Sequence, residues 1–162
     1  MGQTSGSSRG SAAWLKVSQG SDRPLARGSA CPCGGLPPGA TLGVCCAAVI
    51  EGERVAATAE ELMRSRYTAY ALADGDHLFR TWHPRTRPES IDPEPWVRWA
   101  GLEVLDVVDG RADQTSGVVE FRARWAAGEG RTRQRGEVHE RSRFERRAGR
   151  WFYVGPETSA TP

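Results

Sequence analysis

The residues best equipped for chemistry are four cysteines, Cys31, Cys33, Cys45 and Cys46, which are all the cysteines of the chain. They form two close pairs, Cys31-Pro32-Cys33 and Cys45-Cys46, with eleven residues between the pairs. Divalent zinc takes four thiolates in a tetrahedron, and two tight pairs let two short turns close around one ion. Gly34, Gly35 and Gly39 ease the bending this requires. Four protein ligands leave no coordination position for water, so such a zinc is structural and not catalytic. Two disulfides, another metal or a redox role are the alternatives. Disulfides need an oxidising compartment, and residues 1–30 lack the apolar core of a secretory signal, so a cytoplasmic location is expected.

A second group of candidates is titratable: Arg66, Tyr70, His83, Glu140 and Ser142. In the segment 136–146, Val138 and Phe144 mark the face of a strand that turns toward a core. Strict alternation turns Glu140 and Ser142 the same way, and a carboxylate there costs free energy unless it is paired or hydrogen-bonded. Arg66 shares a helix face with Leu62, Ala69, Tyr70 and Ala73 and is the natural partner. The Arg66 and Glu140 pair then reads as an ion pair fixing helix to sheet, as a polar patch within a pocket, or as a bulge turning Glu140 outward. His83, before Pro84, either caps a helix end or projects into a pocket mouth as a general base. No Ser-His-Asp signature, Gly-rich phosphate loop or two-histidine metal motif occurs. No catalytic residue is therefore assigned, and a binding role is expected over an enzymatic one.

The elements that must position these groups follow from periodicity. Thr58-Ala59-Glu60-Glu61 has the spacing of a capping box, and the pattern behind it predicts a helix over 59–73, stopped by Asp74-Gly75. A short helix is predicted from Asp76 to Trp82, ended at His83-Pro84. Asp92-Pro93-Glu94 reads as a third helix start carrying Trp96 and Trp99. From Leu102 the period switches toward two, with strands expected over 102–109, 117–126, 136–146 and 150–155. Helices first and antiparallel strands afterward make an α+β fold.

Composition narrows the function classes. The formal net charge is +2 and the single Lys16 stands among 21 arginines, so a polybasic binder is excluded and coding bias explains the arginine excess. Arg131, Arg133 and Arg135 alternate with polar residues and could meet phosphates from one side of a hairpin, which makes nucleic acid a weakly supported partner. No stretch approaches the length of a membrane span.

Beyond chemistry and period, the chain carries a resemblance. Cys31-Pro32-Cys33-Gly34 with Cys45-Cys46 resembles the SEC-C motif, a small zinc-binding knuckle also found in the SecA translocation ATPase. Four later blocks accompany it: Ala59 to Tyr67, Thr81-Trp82-His83-Pro84, His139 to Phe144, and Gly149 to Val154. In that order they are similar to the bacterial YchJ-like family. The resemblance implies a nuclear transport factor 2-like cone over residues 51–156, with helices on a curved antiparallel sheet, preceded by a zinc knuckle over 31–50. Residues 1–30, rich in Gly and Ser with sparse apolar residues and no periodicity, are expected to be a disordered extension, and 157–162 a disordered tail. It implies no established catalytic activity, and the SecA precedent implies protein docking. The expected function is thus a cytoplasmic zinc-binding adaptor for a protein or ribonucleoprotein partner. The alternative is a small-molecule binder or enzyme using the cone interior. The family's usual knuckle has a shorter inter-pair loop, so the eleven residues here put its geometry in question.

Overall fold

The computed structural model describes residues 25–158. Its first regular structure is a widened helical turn, Gly43–Ala47, running into the short helix α1 (Ala48–Ile50). The capping box at Thr58 starts helix α2 (Ala59–Ala71), where the Thr58 hydroxyl accepts a hydrogen bond from the Glu61 N–H at 3.1 Å. The Glu61 carboxylate reaches back one residue further than expected, to the Ala57 N–H. Asp74 then caps helix α3 (Gly75–Arg80) by accepting from the His77 N–H at 3.0 Å.

The third expected helix does not form. Residues 92–96 run as an irregular connection into strand β1 (Val97–Asp109), and Trp99 lies in that strand opposite Trp125. The physical reason is Pro95, whose ring disfavours helical geometry at Glu94 and so stops the helix that Pro93 would begin. The remaining strands fall where the alternation placed them: β2 (Ser116–Ala127), β3 (Gln134–Arg147) and β4 (Arg150–Pro156). They form an antiparallel sheet in the order β1-β2-β3-β4. Register irregularities at Trp99/Gly101, Val104/Asp106 and Arg143/Phe144 bend it. The fold is α+β, with helices on one sheet face.

Helix α2 is buried on more than one side, nine of its 13 residues being inaccessible. Met63 and Leu62 join Val119, Phe144 and Trp151 in one apolar cluster. Tyr67 and Leu72 join Leu42, Ile50, Ala123 and the four cysteines in another. The knuckle segment therefore shares a core with the sheet domain. Gly110 and Gly117 allow the β1–β2 turn to press on the start of α2: a Cβ on Gly110 would lie 2.6 Å from the Ala59 Cβ, and the Ala59 N–H donates to the Gly110 carbonyl at 2.9 Å. The free edge of β4 is covered by residues 81–83, through the Tyr153 N–H to the Thr81 carbonyl (2.9 Å) and the His83 N–H to the Tyr153 carbonyl (2.7 Å).

Residues 25–30, expected to belong to a disordered extension, are held in place. Residues 1–24 lie outside the described residues, but the Arg27 guanidinium pairs with Glu51 at 3.1 Å, and Ala30 bridges Thr41. A salt bridge and a backbone bridge, not an apolar periodicity, hold residues 27–30. Of the expected tail, Glu157 is tied to Arg141 through both its N–H (2.7 Å) and its carboxylate (2.6 Å), while residues 159–162 lie outside the described residues. No helix among the described residues is long and apolar enough to cross a membrane.

Candidate functional site

Cys31, Cys33, Cys45 and Cys46 converge on one point. All four are buried and free, and their sulfurs lie within 4.8 Å of one another. Four separations are short: Cys33 to Cys31 3.5 Å, to Cys45 3.6 Å and to Cys46 3.7 Å, with Cys45 to Cys46 3.6 Å. A tetrahedral ion with bonds of about 2.3 Å sets its ligand sulfurs about 3.8 Å apart. Four of the six sulfur separations thus approach the edge length of the tetrahedron that zinc prefers, and the soft donor set fits it. A disulfide, with sulfurs about 2.05 Å apart, matches none of the four distances.

The long inter-pair loop does not prevent this convergence. Its extra length is taken up in a tight turn, closed by Gly39 N–H to the Gly34 carbonyl (2.9 Å) and Ala40 N–H to the Pro37 carbonyl (3.0 Å). Beyond it, Cys31 N–H returns to the Ala40 carbonyl at 3.2 Å, which restores the spacing of the two arms. The second pair rides on the widened turn, where the Ala47 N–H bonds the Leu42 carbonyl five residues back at 2.9 Å. Backbone N–H groups of Gly35 and Leu36 point at the sulfurs of Cys33 (3.4 Å) and Cys45 (3.3 Å).

Helix α2 supplies the rest of the surroundings. The Thr68 hydroxyl donates to the Cys46 sulfur at 3.4 Å, and the Arg64 guanidinium holds the Cys33 carbonyl at 3.0 Å. Arg54 reaches the Cys45 carbonyl at 3.4 Å. None of Thr68, Arg64 or Arg54 was identifiable from cysteine spacing, because their approach depends on how the knuckle sits on α2. As bare thiols the four share charge unevenly. Hydrogen bonding with Cys31, then with Cys46, pulls Cys33 down, whereas the same interaction with Cys33 pushes Cys31 up. Cys46 is also raised, first by its interaction with Cys31. Full ionisation of such a cluster calls for a cation at its centre.

A second feature lies across α2, between the helix and the concave face of the sheet. It is a cavity of about 270 Å³ lined by Met63, Arg66, Tyr67, Tyr70, Trp99, Phe121, Ala123, Val138, Glu140, Ser142, Phe144 and Tyr153. Four of the five sequence-identified pocket residues, Arg66, Tyr70, Glu140 and Ser142, are among its walls. The Glu140 carboxylate accepts through Oε1 from the Ser142 hydroxyl (2.6 Å) and the Tyr153 hydroxyl (2.7 Å). The direct Arg66–Glu140 ion pair expected from the sequence is not made. Arg66 instead donates through Nη1 to the Leu78 carbonyl (2.9 Å) and the Thr81 hydroxyl (2.8 Å), and its guanidinium lies 4.5 Å from the Tyr153 ring centre and 5.0 Å from that of Trp82. The end of α3 offers that cation a carbonyl and a hydroxyl, which displace the carboxylate as its partners. Burial lowers Arg66 to about 10, so it remains charged at neutral pH. Burial also raises Tyr70, and pushes Tyr67 up to about 12.

His83 stands apart from this cavity. Its Nδ1 accepts from the Arg85 N–H at 3.2 Å, its Nε2 lies 3.4 Å from Glu145, and the ring packs edge-on to Phe152. These contacts place it on the far side of β4. Tyr153 and Trp99, which no sequence motif marks as pocket residues, form walls because the strand register sets Tyr153 opposite Phe144 and Trp99 against Tyr67 and Tyr70 (5.8 Å each). The strand period that sets Trp151 and Tyr153 on one face of the aromatic run Trp151-Phe152-Tyr153 was the one available signal. Arg131 lies in the turn Gly130–Thr132 and Arg135 on β3, so the three arginines do not share one strand face.

Comparisons with known proteins agree with this geometry. Residues 58–156 match the family model described as the YchJ middle NTF2-like domain. The UPF0225 protein SCO1677 of Streptomyces coelicolor is 47% identical over 127 residues, covering 78% of this chain and 94% of the relative. A UPF0225 protein of Deinococcus radiodurans is 44% identical over 124 residues, covering 76% of this chain and 85% of the relative. Among solved structures, a SEC-C motif containing protein of Rhodopseudomonas palustris, RPA3114, superposes with a TM-score of 0.67 at 35% identity, over 80% of this chain and 98% of that one. A SEC-C motif containing protein of Psychrobacter arcticus gives 0.62 at 26% identity, over 83% and 85% of the two chains.

Proposed function

The chain belongs to the YchJ-like UPF0225 family, and from that membership and the thiol geometry we propose that it is a zinc-knuckle binding module acting in the cytoplasm. Cys31, Cys33, Cys45 and Cys46 hold a structural zinc, and the knuckle presents a rigid surface to a protein partner. The observation that carries the reading is the set of sulfur separations of 3.5–3.7 Å, close to the edges of a zinc tetrahedron. Bound there, zinc neutralises thiolates and cross-links the two turns without an open coordination position.

Surface chemistry supports a protein partner over nucleic acid. From Cys31 to Cys46 there is no charged side chain, and the two arginines that reach the cysteine carbonyls, Arg54 and Arg64, are paired with Glu61 and Glu60, which leaves little positive charge there to neutralise phosphates. Two apolar side chains beside the thiols are exposed instead, Leu36 at 38% and Val44 at 71%. The test combines metal analysis with affinity capture from cell extract, using the wild type, a Cys45→Ser/Cys46→Ser variant and a Leu36→Ser/Val44→Ser variant. The expectation is one zinc per chain in the wild type and in the surface variant, none in the cysteine variant, and a protein captured by the wild type alone. Zinc-free wild type under reducing conditions, or the same capture by all three proteins, overturns the reading.

A further inference from the structure

The cavity on the other side of α2 has a chemistry that the knuckle does not use. Arg66 is 5% exposed and Nη1 makes both of its hydrogen bonds, which leaves Nε and Nη2 without a protein partner among the described residues. Glu140 likewise uses only Oε1, leaving Oε2 without a donor. None of these free atoms is among the sealed polar atoms that lack partners, which among the described residues are Arg27 Nε, Trp82 Nε1 and Arg146 Nε. Free edges of a guanidinium and a carboxylate are therefore reached from the cavity both residues line, and the two groups lie beyond ion-pair distance of each other. A buried polar edge left open in an otherwise apolar chamber is costly unless something fills it.

The remaining walls define the shape of what fits. Trp99 is flanked by Tyr67 and Tyr70 at 5.8 Å, and Phe121 and Tyr153 line the same space. Aromatic walls favour a flat ring system that can stack or meet them edge-on. A cavity of about 150 Å³ accepts benzene, so the 270 Å³ here has room for a fused bicycle. The opposite charges of Arg66 and Glu140 disfavour a net charge, since one attracts any ion that the other repels. A neutral molecule with a donor and an acceptor side by side satisfies both.

We propose that this cavity binds a neutral, planar heteroaromatic molecule with a lactam edge, its N–H donating to Glu140 Oε2 and its carbonyl accepting from Arg66. The way in is the larger groove below residues 92–97, which shares Tyr70, Trp99 and Val138 with the cavity. That entrance explains why Val138, on the inward face of β3, is 36% exposed. The site goes beyond the knuckle reading and does not depend on zinc.

The test uses 2-quinolinone, which has a lactam edge on a bicycle, beside 1-methyl-2-quinolinone, in which the donor is blocked. Binding to the full chain is followed by tryptophan fluorescence and calorimetry. The expected result is that 2-quinolinone binds roughly tenfold or more tighter than its methylated analogue. Glu140→Gln, which replaces the free acceptor by a donor, abolishes that preference. Val138→Trp, which fills the entrance at an already exposed position, abolishes binding of both. Equal affinity for the two probes, no binding of either at millimolar concentration, or unchanged binding in Val138→Trp overturns the proposal. The comparison of the two probes on the wild type decides the matter even where Glu140→Gln does not fold.

Discussion

Stripping the proposed zinc from the knuckle is expected to destabilise the whole described domain. Leu42 and Ile50, from the two ends of the second cysteine arm, are 0% and 2% exposed, and they pack in the same cluster as Tyr67, Leu72 and Ala123. Releasing the arm uncovers both side chains, at about 1.5–3 kcal/mol each, or about 3–6 kcal/mol together. A domain of this size holds only about 5–15 kcal/mol in total. At roughly 4 °C per kcal/mol, the melting temperature falls by about 12–24 °C. The assay is thermal unfolding under reducing conditions with and without a zinc chelator, followed by tryptophan fluorescence and far-ultraviolet circular dichroism. Both probes should shift together. The Cys45→Ser/Cys46→Ser variant should start at the lower temperature and ignore the chelator. Release of zinc from the wild type with an unchanged midpoint would show that the knuckle is an appendage and would refute the shared-core reasoning.

Other consequences are open to measurement. His77 is 1% exposed and burial lowers it to about 3, so in the window between its unfolded value near 6.5 and 3 the unfolded chain binds a proton that the folded one refuses. Stability from this group is complete above pH 6.5 and falls as pH falls, by about 2 kcal/mol between pH 7 and 5. Urea unfolding of the wild type and His77→Gln at those two pH values should show a steeper loss in the wild type, and equal losses would exclude His77 as the cause. Thr68→Val removes the hydroxyl bonded to the Cys46 sulfur and should weaken zinc binding about tenfold or more in competition with a chromophoric chelator. Gly136→Ala places a Cβ 2.5 Å from the Trp125 ring and should cost about 1–3 kcal/mol in denaturant unfolding.

Much of the fold was readable because its signals are local. The hydroxyl of Thr58 and the run behind it set α2, and the alternation of Val119, Phe121, Ala123 and Trp125 set both the strand and its inward face. The difference at residues 92–99 is local too: the start signal of Asp92-Pro93 is cancelled by a second proline, Pro95, two residues on. At the candidate sites the limits were of another kind. Glu140 and Ser142 were correctly placed inward, but Arg66 met the end of α3 first, and nothing in the period of either element reveals that competition.

By itself, the amino-acid sequence determined the α+β order, the two close cysteine pairs and the strand period that Glu140 and Ser142 share with Val138 and Phe144, because chain chemistry and short-range periodicity act within a few residues. Tertiary structure alone decided that the knuckle and the sheet share one core across α2, that Thr68 and Arg64 reach the thiol cluster, and that His83 lies away from the cavity. It also decided that Arg66 and Glu140 face a common space without touching. These are contacts between residues far apart along the chain, set by register and packing angle, and side-chain type constrains them only once the backbone has brought the groups together.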